Sequence, residues 1–251
     1  GAWVKGEEYA SLEEVTLTDE HYTNVTLVSN VIKFFEDGDG TKLNPFKIKN
    51  QTQLQNMSDM MKTYRDYERY KSSCYELMAD ITLTGSIVGS EVEINSNTYT
   101  ANFTSIGSEQ NAFLGIFDGK GFTIENMVTT ASKNASVGLF ASTLGATIRN
   151  VNLKNAKVYS TFDVCGLLVS VSDKNTSISN CVITGDSYIL TTASAVGGIV
   201  GQAKATAIRD ISVNATIEGK GYLGGIAGKL VQNSIAINLS FSGKVEASDT
   251  N

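Results

Sequence analysis

Four short segments decide the fold: Ser136-Val137-Gly138-Leu139-Phe140, Cys165-Gly166-Leu167-Leu168, Gly197-Gly198-Ile199-Val200-Gly201 and Gly224-Gly225-Ile226-Ala227-Gly228. Aligned on Gly138, Gly166, Gly198 and Gly225, they recur at intervals of 28, 32 and 27 residues. Between them runs a second phrase, Ile-x-Asn/Asp-apolar. It occurs as Ile124-Glu125-Asn126-Met127, Ile148-Arg149-Asn150-Val151, Ile178-Ser179-Asn180-Cys181 and Ile208-Arg209-Asp210-Ile211, at steps of 24, 30 and 30. Two phrases held in phase in this way are the signature of a solenoid, whose units bury their apolar rows only against one another.

Within a unit the apolar residues alternate. Ile211, Val213, Ala215 and Ile217 are spaced by two, as are Ile235, Ile237, Leu239 and Phe241, and Gly, Asn, Asp and Ser interrupt the runs. That is a strand-and-turn pattern rather than a helical one. The Leu-x-x-Leu-x-Leu phrase of leucine-rich repeats is absent. A unit of this length suits one coil of three short strands, and stacking sets each strand beside its equivalent one unit on. The expected fold is therefore all-β, a parallel β-helix. The phrases place Ile124, Ile148, Ile178 and Ile208 in one interior column and Met127, Val151, Cys181 and Ile211 in the next. Asn126, Asn150, Asn180 and Asp210 form a polar row that caps turns or builds an amide ladder. The glycines mark sharp corners or close approach between coils, and they lack the Gly-x-Gly-x-x-Gly spacing of a dinucleotide site.

Composition narrows the function. The 251 residues carry 20 Lys+Arg against 26 Asp+Glu, a formal charge of -6, which disfavours partners bound through their phosphates. The one histidine, His21, cannot build a histidine-rich zinc site, and between Glu20 and Tyr22 it reads as an exposed strand or loop residue. Cys74, Cys165 and Cys181 are odd in number and fit no Cys-x-x-Cys spacing, so neither a disulfide framework nor a Cys-rich zinc site is expected. Cys165 and Cys181 read as small interior residues. No apolar run reaches the length of a membrane span and no signal peptide is visible, although the Gly-Ala start leaves room for a segment removed by processing or cloning. Glycoside hydrolysis needs two carboxyl groups about 5–10 Å apart. Asp163, Asp173, Asp186 and Asp210 are the candidates, but they fall at turns or in the polar row, with no clustered set pointing to one groove. No catalytic residue, cofactor site or metal ligand is assigned.

Three regions are expected. Residues 1–45 form a β-rich extension and junction, with Val15, Leu17, Val25, Leu27, Val31 and Ile32 in a short β pattern. The junction, Glu36-Asp37-Gly38-Asp39-Gly40-Thr41 with Asn44-Pro45, is rich in turn residues. Counted from Asp37, the Gly and Glu of an EF-hand loop are replaced by Lys42 and Ile48, so Asp37 and Asp39 belong to a hydrated turn, with an irregular calcium site as the alternative. Residues 46–112 hold a capping helix and irregular first coils. Thr52-x-x-Gln55 reads as a capping box, and Leu54, Met57, Met61 and Tyr64 recur at helical steps, which predicts a helix over 52–66 that covers the open sheet edge. Its methionines, and Tyr64, Tyr67 and Tyr70 beside Arg65, Arg69 and Lys71, are read as packing rather than recognition. An insertion lies around Glu91–Asn102, and the Asn-x-Ser/Thr sites at Asn24, Asn102 and Asn214 are products of composition. Residues 113–251 are the regular coils. The strand pattern runs to Val245 without a terminal cap, so the chain is expected to be part of a longer protein.

The run Asn44-Pro45-Phe46-Lys47-Ile48, the helix with Leu54, the phrase Tyr75-Glu76-Leu77-Met78-Ala79-Asp80-Ile81-Thr82-Leu83, Ile106-Gly107, and Phe113-Leu114-Gly115-Ile116-Phe117-Asp118-Gly119-Lys120-Gly121-Phe122-Thr123-Ile124-Glu125-Asn126-Met127 come in a set order. With the Gly-Leu/Ile phrases that follow, they resemble the GLUG-motif family over roughly residues 38–245. The match departs at Phe140-Ala141-Ser142 and Leu168-Val169-Ser170, where a closing Gly is expected. Such modules occur in large bacterial surface and secreted proteins, including adhesin-like proteins and the non-catalytic N-terminal parts of immunoglobulin A1-type metalloproteases. The resemblance implies a right-handed parallel β-helix outside the cell, with no reaction of its own. It points to a non-catalytic module acting in adhesion or as a rigid spacer. The implied partners are a host or matrix protein or glycan and the rest of the parent polypeptide, with no nucleic acid and no membrane insertion. The alternatives are an accessory, substrate-positioning domain of a larger secreted metalloprotease, since no His-Glu-x-x-His is present in this chain, and a polysaccharide-active β-helix enzyme.

Overall fold

The computed structural model describes residues 34–131, 135–161, 164–192 and 194–247, without the side chains of Tyr64 and Arg65. The β pattern of residues 1–33, His21 and Asp163 lie outside the described residues. The described residues from Phe35 onward form one compact unit.

The unit opens with β1 (Phe46–Ile48), α1 (Gln51–Met60) and α2 (Tyr64–Tyr70), then β2 (Cys74–Leu77) and β3 (Ile81–Thr82). A hairpin follows, β4 (Val92–Ile94) with β5 (Asn97–Tyr99). The first regular coil is β6 (Ile116–Asp118), β7 (Thr123–Glu125), β8 (Val128–Ala131) and β9 (Phe140–Leu144). The second is β10 (Thr147–Arg149), β11 (Asn152–Lys154), β12 (Lys157–Ser160), β13 (Val164–Gly166) and β14 (Val169–Asp173). The third is β15 (Ser177–Thr184), β16 (Tyr188–Thr191), β17 (Ala195–Gly197) and β18 (Val200–Lys204). The fourth is β19 (Ala207–Gly219), β20 (Tyr222–Gly224) and β21 (Ala227–Val231), and β22 (Ile235–Ala247) begins the next. A full coil such as the second therefore has five short strands rather than three.

Coil pairs with coil in parallel throughout, whereas β4 and β5 pair antiparallel. Along the first face seven layers run in order: β1, β2, β6, β10, β15, β19 and β22. The protein is a parallel β-solenoid. Neighbouring layers of such a stack lie about 4.8 Å apart, so each strand satisfies its backbone through the layers above and below, and side chains of one class meet in columns.

Register fixes those columns. Phe46, Tyr75, Phe117, Ile148, Ile178, Ile208 and Ala236 make one; Ile81, Ile124, Leu153, Ile183, Val213 and Phe241 make the next. Ile124 thus does not share the column of Ile148. The short first step of 24 residues compares two different corners of the coil. Asn126 sits at the second corner, where its N–H donates to Lys154 O at 2.9 Å, and Met127 O accepts the Lys157 N–H at 2.7 Å, which sets it beside the Asn155-Ala156 corner. Cys181 and Ile211 do pair, and Val151 O accepts the Val182 N–H at 3.0 Å. Cys165, beside Val196, and Cys181, beside Ile211, are fully buried, as expected, and Cys74 is buried beside Ile116.

The glycines also shift by one place. Gly166, Gly197 and Gly224 stand side by side, not Gly166, Gly198 and Gly225. A Cβ on each would lie 2.1, 2.2 and 2.0 Å from the carbonyl oxygen three residues on, of Val169, Val200 and Ala227. These corners are tight because nothing larger than hydrogen fits inside them. Gly198 serves the other expected role, since a Cβ there would stand 2.2 Å from Gly225 O in the next coil. Where the closing Gly201 has Ser170 as its counterpart, the buried hydroxyl donates to Val164 O at 2.7 Å and the corner keeps its course.

At the N-terminal end, α1 is capped by Asn50 rather than Thr52. Asn50 Oδ1 accepts the Gln53 N–H at 3.0 Å, and Gln53 Oε1 returns to the Lys49 N–H at 2.7 Å. The single helix predicted over 52–66 is two, because Thr63 Oγ1 accepts the Asp66 N–H at 3.3 Å and starts α2. Leu54, Met57, Met60 and Met61 are buried in the main core, as the methionine reading requires. The outer edge of β1 is occupied by the chain just before it: the Glu36 N–H donates to Lys47 O at 2.9 Å and the Lys47 N–H to Asp37 O at 2.8 Å. The helices anchor further along, with Ser58 Oγ donating to Ser105 O at 3.0 Å and Tyr67 OH to Ala112 O at 3.0 Å.

Candidate functional site

Of the carboxylates weighed for catalysis, Asp173, Asp186 and Asp210 are described, and each stands at its own corner or strand end with its own partners. Asp173, at the end of β14, is 3.2 Å from Lys204 Nζ and accepts the Lys174 N–H at 2.6 Å. Partial burial pushes its carboxyl up, but the Lys174 N–H and Lys204 outweigh that and hold it below the usual range. Asp186 lies exposed at the corner between β15 and β16, its N–H on Asn155 Oδ1 at 2.9 Å. Asp210, at the first corner of the fourth coil, accepts Asn238 Nδ2 at 2.6 Å. Asp39 accepts the Thr41 N–H at 2.9 Å and the Asn44 N–H donates to Thr41 Oγ1 at 3.1 Å, so that stretch closes on itself as a turn. The Thr41 N–H, followed by the Thr41 hydroxyl, lowers the Asp39 carboxyl below its ordinary range. Among the described residues no group of three or more His, Cys, Asp and Glu side chains is placed to hold a metal ion.

The polar row is an amide ladder, and it has a backbone cause. Asn150, Asn180, Asp210 and Asn238 all sit in left-handed backbone, at φ 55, 52, 55 and 53°, as do Asn126 and Asn155 at the second corner, at 61 and 54°. Asn and Asp tolerate that region better than other side chains. Asn150 Nδ2 donates to Asp118 Oδ1 at 2.8 Å, and Asn180 Nδ2 to Asn150 Oδ1 at 2.6 Å. The ladder starts on Asp118, whose carboxylate also takes Arg149 Nε at 2.8 Å and the Lys120 N–H at 2.9 Å. Asn102 is likewise structural: buried, it accepts the Val128 N–H at 2.8 Å and donates to Asn126 O at 2.8 Å.

A different group stands on the outer surface of the third face. Register lines up Val128, Lys157, Tyr188, Thr216 and Lys244 in one outward row and Thr130, Tyr159, Leu190, Glu218 and Glu246 in another. The inserted hairpin folds onto this surface. Its turn residues Asn95 and Ser96 both take positive φ, 52 and 63°, the geometry that suits a two-residue hairpin loop. Val92, Ile94 and Tyr99 pack on Tyr159 and Leu190 as a small second core. Tyr99 stacks on Tyr159 with centroids 3.8 Å apart, and Tyr159 meets Tyr188 edge-on at 6.2 Å. Tyr188 OH donates to Glu218 Oε2 at 2.6 Å, and desolvation together with that carboxylate pushes the phenol well above its ordinary range.

Beside Tyr188 opens a cleft of about 480 Å³ lined by Lys157, Asp186, Ser187, Tyr188, Asn214 and Thr216. It draws an amine, a carboxylate, an amide, hydroxyls and an aromatic side chain from successive coils, a donor and acceptor set suited to a polyhydroxylated ligand. A smaller cavity of about 190 Å³ lies under the hairpin's flank, between Ile87, Phe103, Val137 and their neighbours. Of the weighed residues, Asp186 and Asn214 line the cleft. Tyr188, Lys157 and Glu218 were missed, because outward positions follow no apolar rhythm. The available signal was two tyrosines, Tyr159 and Tyr188, on equivalent strands of adjacent coils. Tyr70 instead packs against Phe46 at 5.7 Å, and Tyr67 OH donates to Ala112 O, so these two helical tyrosines are packing residues.

No family model matches the chain. Over 166 residues it is 34% identical to halomucin from Haloquadratum walsbyi (strain DSM 16790 / HBSQ001), which is 65% of this chain and 2% of halomucin. The chain therefore spans about 2% of the length of that relative. Among solved structures, that of a "putative immunoglobulin A1 protease" from Bacteroides ovatus is similar with a TM-score of 0.55 and 21% identity, covering 86% of this chain and 71% of the other. The two share a fold. No described helix is long and apolar enough to cross a membrane.

Proposed function

We propose that this chain is a non-catalytic extracellular module of a bacterial surface or secreted protein, of the GLUG type, that acts in adhesion. The observation that carries the adhesive reading is the cleft beside Tyr188, a polar, aromatic-edged recess fixed on a rigid stack of coils. Sites on sheets of this kind are held in place without ordering cost at the moment of binding. The resemblance to surface and secreted modules, and the likeness to halomucin and to the Bacteroides ovatus protein, support a place outside the cell.

The test is an array of neutral and acidic glycans together with host matrix proteins, probed with the full chain and with Tyr188→Ala and Asn214→Ala. Adhesion through the cleft predicts binding that falls at least about tenfold in Tyr188→Ala, as for an aromatic anchor, with an unchanged circular dichroism spectrum. Binding that ignores both substitutions, or none to any member of the array, would leave the spacer role in place of adhesion. No release of reducing ends from polysaccharides is expected, and turnover abolished at Asp173, Asp186 or Asp210 would overturn the non-catalytic reading.

The fold likeness to the Bacteroides ovatus protein favours a second reading, an accessory domain that positions a protease substrate. It predicts that the chain alone captures immunoglobulin A1 on a sensor surface without cleaving it.

A further inference from the structure

The cleft beside Tyr188 has a cause in the register. Ile183 pairs with Val213 and Tyr188 with Thr216, so the third coil sets four residues, 184–187, against two of the fourth, 214 and 215. The second coil has three at that place, 154–156, between Leu153 and Lys157. The extra residues of the third coil bulge outward as a ledge, and the recess lies between that ledge and the shorter corner of the fourth coil. The ledge is pinned. Gly185 takes φ 70°, a Cβ there would stand 2.2 Å from Asn155 Oδ1, and the same oxygen accepts the Asp186 N–H at 2.9 Å.

Two polar groups of the cleft are already engaged. Tyr188 OH donates to Glu218 Oε2, and Ser187 Oγ donates to Thr184 O at 2.7 Å while accepting the Ala156 N–H at 3.1 Å. The strongest groups left open are the Lys157 amine, the Asp186 carboxylate and the Asn214 amide, whose side chains have no hydrogen bond or ion pair among the described residues. Lys157 lies one coil before Asp186 and Asn214 one coil after it, so their backbones stand about 10 Å apart with the carboxylate's coil between them. A carboxylate only accepts hydrogen bonds and an ammonium only donates them, whereas a hydroxyl does both. A ligand anion would satisfy Lys157 but leave Asp186 facing like charge, with the Glu218 carboxylate close by on Tyr188 and a formal charge of -6 on the chain. A ligand amine would suit Asp186 and meet like charge at Lys157. Neighbouring hydroxyls satisfy both at once. We propose that the cleft binds an uncharged hexopyranose unit of a glycan, with two adjacent hydroxyls donating to Asp186 and accepting from Lys157 and Asn214, and that Asp186 makes it discriminate against acidic sugars. This names the ligand class for the adhesive reading above and rests on it.

Isothermal titration calorimetry of the full chain with matched oligosaccharides reads the assignment: glucan, galactan and mannan fragments, and the uronate counterpart of each. In any pair that binds, the neutral member should bind at least about tenfold more tightly. Asp186→Asn, at an exposed corner, should weaken the neutral ligand by about fivefold or more, as for lost charge-assisted hydrogen bonds, and narrow its lead over the uronate. Lys157→Met should weaken the neutral ligand without improving the uronate, and neither substitution should change the circular dichroism spectrum. A uronate bound as tightly as its neutral counterpart, with binding still lost in Tyr188→Ala, overturns the neutral-sugar assignment and leaves the adhesive reading standing. So does an Asp186→Asn variant that keeps the full preference. No binding in either series overturns the assignment as well, and binding that ignores Tyr188→Ala overturns it together with the adhesive reading.

Discussion

Asn180 shows what one residue does for a corner. Its backbone sits at φ 52°, and its side chain donates to Asn150 Oδ1 at 2.6 Å, so it serves both the turn and the ladder. The two contributions separate by substitution. Asn180→Gly keeps the left-handed backbone and loses the ladder bond, at a cost of about 1 kcal/mol. Asn180→Ala loses both and should cost about 1–2 kcal/mol more, the price of left-handed backbone for a residue with a Cβ. Urea denaturation of the two variants measures the difference; equal costs would assign the whole effect to the side-chain bond. Asp118, which anchors the ladder, adds a pH dependence. Burial raises its carboxyl, yet Asn150, the Lys120 N–H and Arg149 together hold it below the usual range. Its folded-state value is thus below the unfolded one of about 3.9, so its stabilisation is full above that pH and is lost as pH falls through the folded value. Asp118→Asn should therefore destabilise by about 1–3 kcal/mol at pH 7, as expected for hydrogen bonds to a charged group. The gap to the unmodified chain should shrink below about pH 4, and a gap unchanged with pH would exclude this linkage.

At the scale of elements, the corners decide whether coils stack. Gly198 has no room for a methyl group, because a Cβ would stand 2.2 Å from Gly225 O and 2.8 Å from Val213 Cγ1. Neither neighbour is a flexible side-chain end. Gly198→Ala should cost upward of about 3 kcal/mol, in the range of severe overpacking, whereas Gly121→Ala, with open space around it but φ 82°, should cost only about 1–2 kcal/mol of backbone strain. Thermal melting of the pair tests the contrast. The same corners explain which parts of the fold were legible in the sequence. Glycines and asparagines are strong local signals, so the repeat, the parallel solenoid and the polar row could be read directly. Their exact phase could not, because a coil can carry an Asn at either of two corners, as the second does at Asn150 and Asn155, and adjacent glycines have different duties: Asn126 mimics Asn150 in sequence while occupying the place of Asn155. The helix was legible from Leu54, Met57 and Met61, but its break at Thr63 depends on a hydroxyl cap that the apolar rhythm passes over. Tyr188 and Glu218 were not legible as a pair, since 30 residues separate them and only the register makes them neighbours.

On the scale of the whole molecule, stability is a chain of nearest-neighbour interfaces, and position along the axis sets what a residue is worth. Ile178 lies in the middle of its column, flanked by Ile148 and Ile208, and is fully buried. Val245 belongs to the same class of interior position but has a neighbour on one side only and is 40% exposed. Truncating Ile178 to Ala opens a cavity between two layers that cannot collapse, because both are tied by continuous ladders. That should cost about 3–5 kcal/mol, near the upper end for buried aliphatic side chains. Val245→Ala removes surface that water already reaches and should cost under about 1 kcal/mol. Amide exchange gives the parallel result for the backbone: in this chain protection should be highest in β10, β15 and β19 and fall toward β22, which pairs with β19 alone among the described strands. The slope of protection along the axis therefore measures how far a layer's stability depends on having neighbours on both sides; equal protection from β10 to β22 would overturn the nearest-neighbour account.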